Sequence, residues 1–221
     1  MRVIAGTYRS RPLAAPRGHD TRPTSDRLRE TLFNVLAQRI EGASFADLYA
    51  GSGAVGIEAL SRGARHVCFA ENAPAALAAI RANLAALKID GGFHIESGGV
   101  LAALHSANEA AGVRPWDLVF LDPPYQDAAA RVETLGRLGR NAGSLLSTEA
   151  IVVVEHRSGR HRAPKIARSP LQPGSGGTRM AGKDQPEGLE DPAPSYGALE
   201  RYRVIEQGDA ALSFYALRAA I

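Results

Sequence analysis

At 221 residues with 45% apolar side chains, the chain can bury one substantial core and lies at the upper end for a single domain. A single cysteine excludes an internal disulfide, and six histidines without zinc-ligand spacing give no structural metal site. The net charge of +3 is uneven: residues 1–30 hold seven arginines against Asp20, Asp26 and Glu30, a net +4 that leaves −1 for the remainder. A positive field at one end suits a polyanion partner, although a solvated arm that aids solubility has the same composition. No apolar run near the N-terminus suggests a signal peptide or a membrane span, so a cytoplasmic protein without a membrane partner is expected.

In chain order, residues 1–20 read as a basic hairpin, with short strands at Val3–Thr7 and Arg11–Ala14 followed by a Pro/Gly loop. Ser25 is a good N-cap, and Leu28, Leu32, Val35 and Leu36 fall at helical spacing before Gly42. Strand-like and helix-like segments then alternate: Phe45–Tyr49, Ala54–Arg62, His66–Glu71, Pro74–Leu87, Phe93–Glu96, Val100–Ala111, Trp116–Leu121, Ala128–Leu138 and Ile151–Glu155. Such alternation predicts an α/β fold with a parallel sheet covered on both faces, because right-handed crossovers join its strands. Cys68 sits in one of these strands and reads as a packing residue. Pro164–Pro194 has six prolines, five glycines and no apolar period, and is expected as a flexible insertion spanning about 164–195. Leu199–Glu206 and Ala210–Ala216, joined by Gln207-Gly208-Asp209, read as a closing antiparallel hairpin. The domain expectation is a hairpin at 1–20 and a catalytic domain at 21–221.

Asp47-Leu-Tyr-Ala-Gly-Ser-Gly-Ala-Val-Gly56 joins a strand to a helix, and Gly51 and Gly53 there let a ligand approach the backbone. Twenty residues after Gly51, Glu71 ends the next strand, where a carboxylate can accept hydrogen bonds from both ribose hydroxyls. Ser52 and Asn72 complete the expected cofactor contacts of these two turns. Gly51 to Gly56 also satisfies the dinucleotide pattern G-x-G-x-x-G, which leaves a nicotinamide-dependent oxidoreductase as a competitor. Asp47 favours S-adenosyl-L-methionine instead. Its carboxylate would repel a pyrophosphate but can hold the ammonium of a methionine moiety through water or backbone.

Trp116-Asp-Leu-Val-Phe-Leu-Asp-Pro-Pro-Tyr125 runs a buried strand into Asp122-Pro123-Pro124-Tyr125 at the carboxyl edge of the sheet. The consecutive prolines remove two N–H donors and stiffen the backbone, leaving carbonyl oxygens as acceptors. An aromatic amine is a weak nucleophile because its lone pair is delocalised into the ring. The Asp122 carboxylate and the Pro123 carbonyl can hold its two N–H bonds and turn the lone pair toward an activated methyl, with Tyr125 stacking on the ring. The pocket demands a base that is single-stranded or swung out of its stack. The residues therefore imply methylation of a planar amine: a nucleic-acid base, or a protein glutamine amide. Asp-Pro-Pro-Tyr is otherwise an ordinary strand-ending turn.

These motifs resemble those of the RsmD family of bacterial small-subunit rRNA guanine-N2 methyltransferases. The resemblance lies in Ile4-Ala-Gly, in Arg22-Pro-Thr-Ser-Asp-Arg-Leu-Arg-Glu-Thr-Leu-Phe-Asn34, in Asp47–Gly56 with Glu58-Ala-Leu-Ser-Arg-Gly63, in Asp122–Tyr125 and in Gly208-Asp209. It implies a class I, Rossmann-like methyltransferase with a seven-stranded mixed sheet and a reversed last strand, S-adenosyl-L-methionine as donor, and one guanine of 16S rRNA as acceptor in a small ribosomal subunit particle. By the same resemblance, Arg22–Asn34 closes over the cofactor, with Thr24, Asp26 and Arg27 as contacts. Many class I relatives place an acid after the third strand for the adenine amine. This chain has Ser97-Gly-Gly-Val100, so adenine recognition is expected from backbone groups at Gly98, Gly99 and Val100.

The expected RNA contacts are Arg2, Arg9, Arg11 and Arg17 of the basic end, with Arg157 and Arg160 of a second basic cluster after the fifth strand. A monomer is expected. DNA adenine-N6 methylation, protein glutamine methylation and a non-catalytic RNA-binding protein remain alternatives, and the basic hairpin favours nucleic acid over protein.

Overall fold

The strand β1 (Ser44–Leu48) is buried along its whole length, and β4 (Trp116–Leu121) nearly so. Near-continuous apolar strands of this kind need cover on both faces, which a parallel sheet with crossover helices supplies. The computed structural model describes residues 1–16, 25–109, 115–124, 127–158 and 191–218. The other strands are β2 (His66–Ala70), β3 (Phe93–Glu96), β5 (Leu146–Arg157), β6 (Ser195–Tyr196), β7 (Leu199–Gln207) and β8 (Ala210–Leu217). Their order is β3-β2-β1-β4-β5-β8-β7-β6. The first five are mutually parallel, β8 runs antiparallel to β5, and β7 and β6 follow as antiparallel neighbours. Because the chain winds outward from β1 to β3 and then returns to β4, a crevice opens beyond the carboxyl ends of β1 and β4.

Helices α1 (Asp26–Leu36), α2 (Ala54–Ser61) and α3 (Pro74–Ala86) cover one face, where Leu32, Phe33, Ile57, Ile80 and Leu84 pack on Phe45, Phe69 and Phe120. On the other face α4 (Gly99–Glu109), α5 (Ala128–Arg140) and α6 (Ala142–Leu145) bring Leu104, Leu135, Leu138 and Leu145 against Ala46, Leu48 and Val119. Leu77, Ile80 and Leu84 of α3, with Leu87 at its C-terminal cap, form a buried apolar stripe at helical spacing. Cys68 is buried in β2, and burial pushes its thiol up to about 12, in keeping with a packing role. No helix among the described residues is long and apolar enough to cross a membrane.

Two expectations change in detail. Among the described residues the sheet has eight strands instead of seven, the addition being β6, whose two residues pair with Glu200 and Leu199. Two residues are too few to show a period. Packing holds them: a Cβ on Gly139 of α5 would sit 1.7 Å from the Tyr196 carbonyl oxygen, and the Tyr196 ring meets Tyr215 edge-on at 5.9 Å. The N-terminal segment folds back as a hairpin but forms a single bridge, Arg2 to Pro12, in place of two strands. Its backbone donors are drawn elsewhere. Ile4 N and Ala5 N donate to the carboxylate of Glu58 at 2.7 and 3.0 Å, and Thr7 N donates to the Ser61 carbonyl at 2.8 Å. Glu58 and Arg29 are fully buried beneath this hairpin, and Arg29 donates to the Arg2 carbonyl and to Asp26. Most of the expected 164–195 insertion lies outside the described residues.

Candidate active site

Asp47, the last residue but one of β1, faces the α1–α3 side, 2% exposed, and its carboxylate accepts the Gly56 N–H at 2.8 Å. Burial weakens it as an acid and pushes its pKa up to about 7, against the pull of that hydrogen bond, and the charge of Glu71 adds to the rise. The chain then turns through Gly51 at φ +55° and Gly53 at φ +76°. A Cβ built on Gly51 meets nothing within 4 Å, so the outer side of the bend is open to a ligand. Gly56 is small for another reason, since a Cβ there would lie 2.2 Å from the Phe69 ring where α2 crosses β2.

Glu71 follows β2. Its Oε2 accepts from Gly51 N at 2.9 Å, and its Oε1 accepts from Asn72 N and Ala73 N, each at 2.8 Å. Three backbone donors thus fix the carboxylate beside the bend, and Oε2, which accepts one of them, keeps capacity for a ribose hydroxyl. Glu71, Asn72, Gly98, Gly99 and Val100 line one cleft of about 230 Å³. Five separately expected cofactor residues therefore converge, and Gly51 is bonded directly to one of them.

The β4 tip joins this arrangement. Asp122 N donates to the Leu48 carbonyl at 3.4 Å, so the proline-framed turn lies against the strand that leads into the glycine bend. Asp122 is half-buried and Pro123 buried. The Pro124 carbonyl accepts from Asp127 N at 2.8 Å as α5 begins. Arg157 closes β5 on the same carboxyl edge, opposite Ala210 of β8. Asp26 and Arg27 stand away from the cleft, on a separate hollow of about 510 Å³ with Arg2, Arg9 and Glu30. Arg11 is exposed on the hairpin. Thr24, Tyr125, Arg17 and Arg160 lie outside the described residues.

Three residues of the site are additions to the sequence reading. Tyr49 has φ +66°, which breaks the alternation of β1 and packs its ring with the α4–α6 core. Its hydroxyl meets Thr134 Oγ1 at 2.9 Å, and both residues line the cleft. No sequence signal marks a left-handed tyrosine. Asn83 of α3 is buried, accepts from Ala14 N at 2.8 Å, and donates to the Ala14 and Ser52 carbonyls at 3.0 and 2.9 Å. One amide thus ties the N-terminal arm to the glycine bend, and its signal is an asparagine among the apolar positions Ile80, Leu84 and Leu87. Asn83→Ala is expected to cost about 1–3 kcal/mol by stranding these groups. Hydrogen exchange should show loss of protection concentrated at residues 1–16 and the bend; a uniform change would not fit this role.

An open sheet with one reversed strand beside β5, a glycine bend after a β1 that carries Asp47, and Asp-Pro-Pro at the β4 tip define a class I, S-adenosylmethionine-dependent methyltransferase. The glycine bend is open and the carboxylates and backbone donors suit an aminoacyl-nucleoside, so the residues present fit that cofactor. The model of the family described as "Conserved hypothetical protein 95" matches residues 1–170, and the chain belongs to this family, the RsmD family. It is 39% identical over 155 residues to "Ribosomal RNA small subunit methyltransferase D" of Escherichia coli (strain K12), covering 70% of this chain and 74% of that one. The protein of the same name from Haemophilus influenzae is 35% identical over 157 residues, covering 70% and 78%. The solved structure of yhhF from Escherichia coli superposes with a TM-score of 0.72 at 28% identity, covering 100% of this chain and 99% of that one.

Proposed function

We propose that this chain transfers the methyl group of S-adenosyl-L-methionine to the exocyclic N2 amine of a guanine in 16S rRNA of the small ribosomal subunit. The observation that carries the reading is the bond from Asp122 N to the Leu48 carbonyl, which sets the Asp122-Pro123-Pro124 turn against the glycine bend. The names of the Escherichia coli and Haemophilus influenzae relatives support rRNA of the small subunit as the substrate.

Bound S-adenosyl-L-methionine supplies an electrophilic methyl on a sulfonium. The chain's own residues prepare the other partner. Asp122 and the Pro123 carbonyl accept the two N–H bonds of the guanine amine, which directs its lone pair at the methyl. Tyr125 stacks on the flipped base and offsets part of the cost of unstacking. After transfer the cationic amine is acidic and gives its proton to Asp122 or to water, so no strong base is needed. Exposed Arg2, Arg9 and Arg11 on the hairpin and Arg157 on the carboxyl edge contact phosphates. The test is incubation of the purified protein and labelled cofactor with small-subunit particles that lack the modification, followed by nuclease digestion and mass spectrometry. N2-methylguanosine from 16S rRNA is the expected product. Label in adenosine, in protein or nowhere would overturn the assignment.

A further inference from the structure

The cleft beside Glu71 has a chemical inventory that the glycine bend does not explain. Leu101 is 50% exposed on its wall, an apolar side chain left open beside the backbone of Gly98, Gly99 and Val100. An apolar surface next to backbone N–H groups suits a planar heterocycle, whose ring nitrogens accept hydrogen bonds. An adenine also carries an exocyclic amine, which needs an acceptor. Glu96, the last residue of β3, is committed elsewhere: its carboxylate accepts from Gly98 N at 2.9 Å and from Ser106 at 3.4 Å, and it does not line the cleft. Among the described residues, the two carboxylates that line the cleft are Glu71 and Glu133.

We propose that Glu133 of α5 is a specificity-determining residue that accepts the exocyclic amine of the cofactor's adenine, in place of an acid after β3. The proposal rests on the reading that this cleft takes the nucleoside part of the cofactor. Glu71 is held beside the glycine bend by three backbone donors and is placed for the ribose. Glu133 approaches from the other side of the crevice, next to Thr134, whose hydroxyl is engaged by Tyr49. Arg137 binds Glu133 through Oε1 alone, at 3.0 and 2.8 Å, which leaves the lone pairs of Oε2 for a further donor. The Arg137 pairing also orients the carboxylate.

A carboxylate reads an amine by rejecting a carbonyl. S-inosylhomocysteine carries oxygen where S-adenosylhomocysteine carries the amine, so its oxygen would face the Glu133 carboxylate unpaired. Loss of a charge-assisted hydrogen bond corresponds to roughly a tenfold to hundredfold preference for the adenosyl compound. Calorimetric titration of the full-length protein with both compounds should show that preference, and Glu133→Gln should reduce it to within about threefold, because an amide can turn to donate as well as accept. Glu133→Ala should do the same by removing the acceptor. The side chain is 49% exposed, so both variants are expected to fold, with melting temperatures as the check. A preference unchanged in both variants overturns the role of Glu133. Glu71→Ala separates the two levels: if it binds both compounds as tightly as the parent, the cleft is not the nucleoside site and the underlying reading fails.

Discussion

Asp122→Ala is expected to lower turnover by about a hundredfold to a thousandfold while S-adenosylhomocysteine binds within about threefold of the parent. The separation follows from where the groups stand. Asp122 meets the bend through its backbone N–H, which donates to Leu48 whatever the side chain is, so truncation leaves the strand tip in place. The cofactor's expected partners, Glu71, Asn72 and Gly98–Val100, belong to other turns. What would be lost is one of the two acceptors proposed to hold the amine, an interaction worth most when positive charge develops on nitrogen. Asp122→Asn keeps a carbonyl acceptor but adds a donor that competes for the same lone pair, so an intermediate loss is expected. Single-turnover rates at saturating cofactor, set beside calorimetric affinities, measure the two effects separately. Turnover that survives in Asp122→Ala, or an equal loss of cofactor affinity, would remove Asp122 from amine orientation.

Much of this site was legible because its signals are local. A strand that runs into Asp-Pro-Pro announces both its end and its acceptors, and a glycine pair after an apolar strand announces a bend that a ligand can approach. Spacing brings Glu71 to the glycine bend because β2 is a short strand in register with β1, Leu48 opposite Ala70, so its next residue reaches the bend. Long-range partners were not legible. The buried pairing of Glu58 with the N–H groups of Ile4 and Ala5 joins positions more than fifty residues apart, and a glutamate on a helix reads as solvated until its neighbours are known. The same pairing explains why the hairpin forms one bridge instead of two strands: donors that a ladder would use are spent on a carboxylate. Tyr49 was invisible for a conformational reason, since its side chain leaves the face that alternation assigns to it. Asp26 and Arg27 show the limit of a resemblance carried over by position. They stand with Arg2 and Arg9 on a different hollow from the one that gathers Glu71 and Gly98–Val100.

Asp47→Asn is expected to change stability in opposite directions at the two ends of the pH range. In the folded chain Asp47 holds its proton up to about 7, against 3.8 for an exposed aspartate. Between those values the folded state binds more protons than the unfolded state, so stability falls as pH rises through the window and the full cost of a buried charge is present above it. The size of the shift puts that cost at a few kcal/mol at pH 8. Asparagine can still accept the Gly56 N–H and carries no charge, but it brings an amide N–H pair into a buried site at a cost of about 1–3 kcal/mol. The variant should therefore be more stable than the parent at pH 8 and less stable at pH 5, as read by urea denaturation; one sign at both pH values would contradict the assignment. Such a carboxylate is a liability to the fold unless a cation joins it. The ammonium of the methionine moiety is the cation that the bend would bring. Parent affinity for S-adenosylhomocysteine should accordingly rise from pH 6 to pH 8 as the proton leaves Asp47, and Asp47→Asn should flatten that rise while weakening binding about tenfold or more at pH 8.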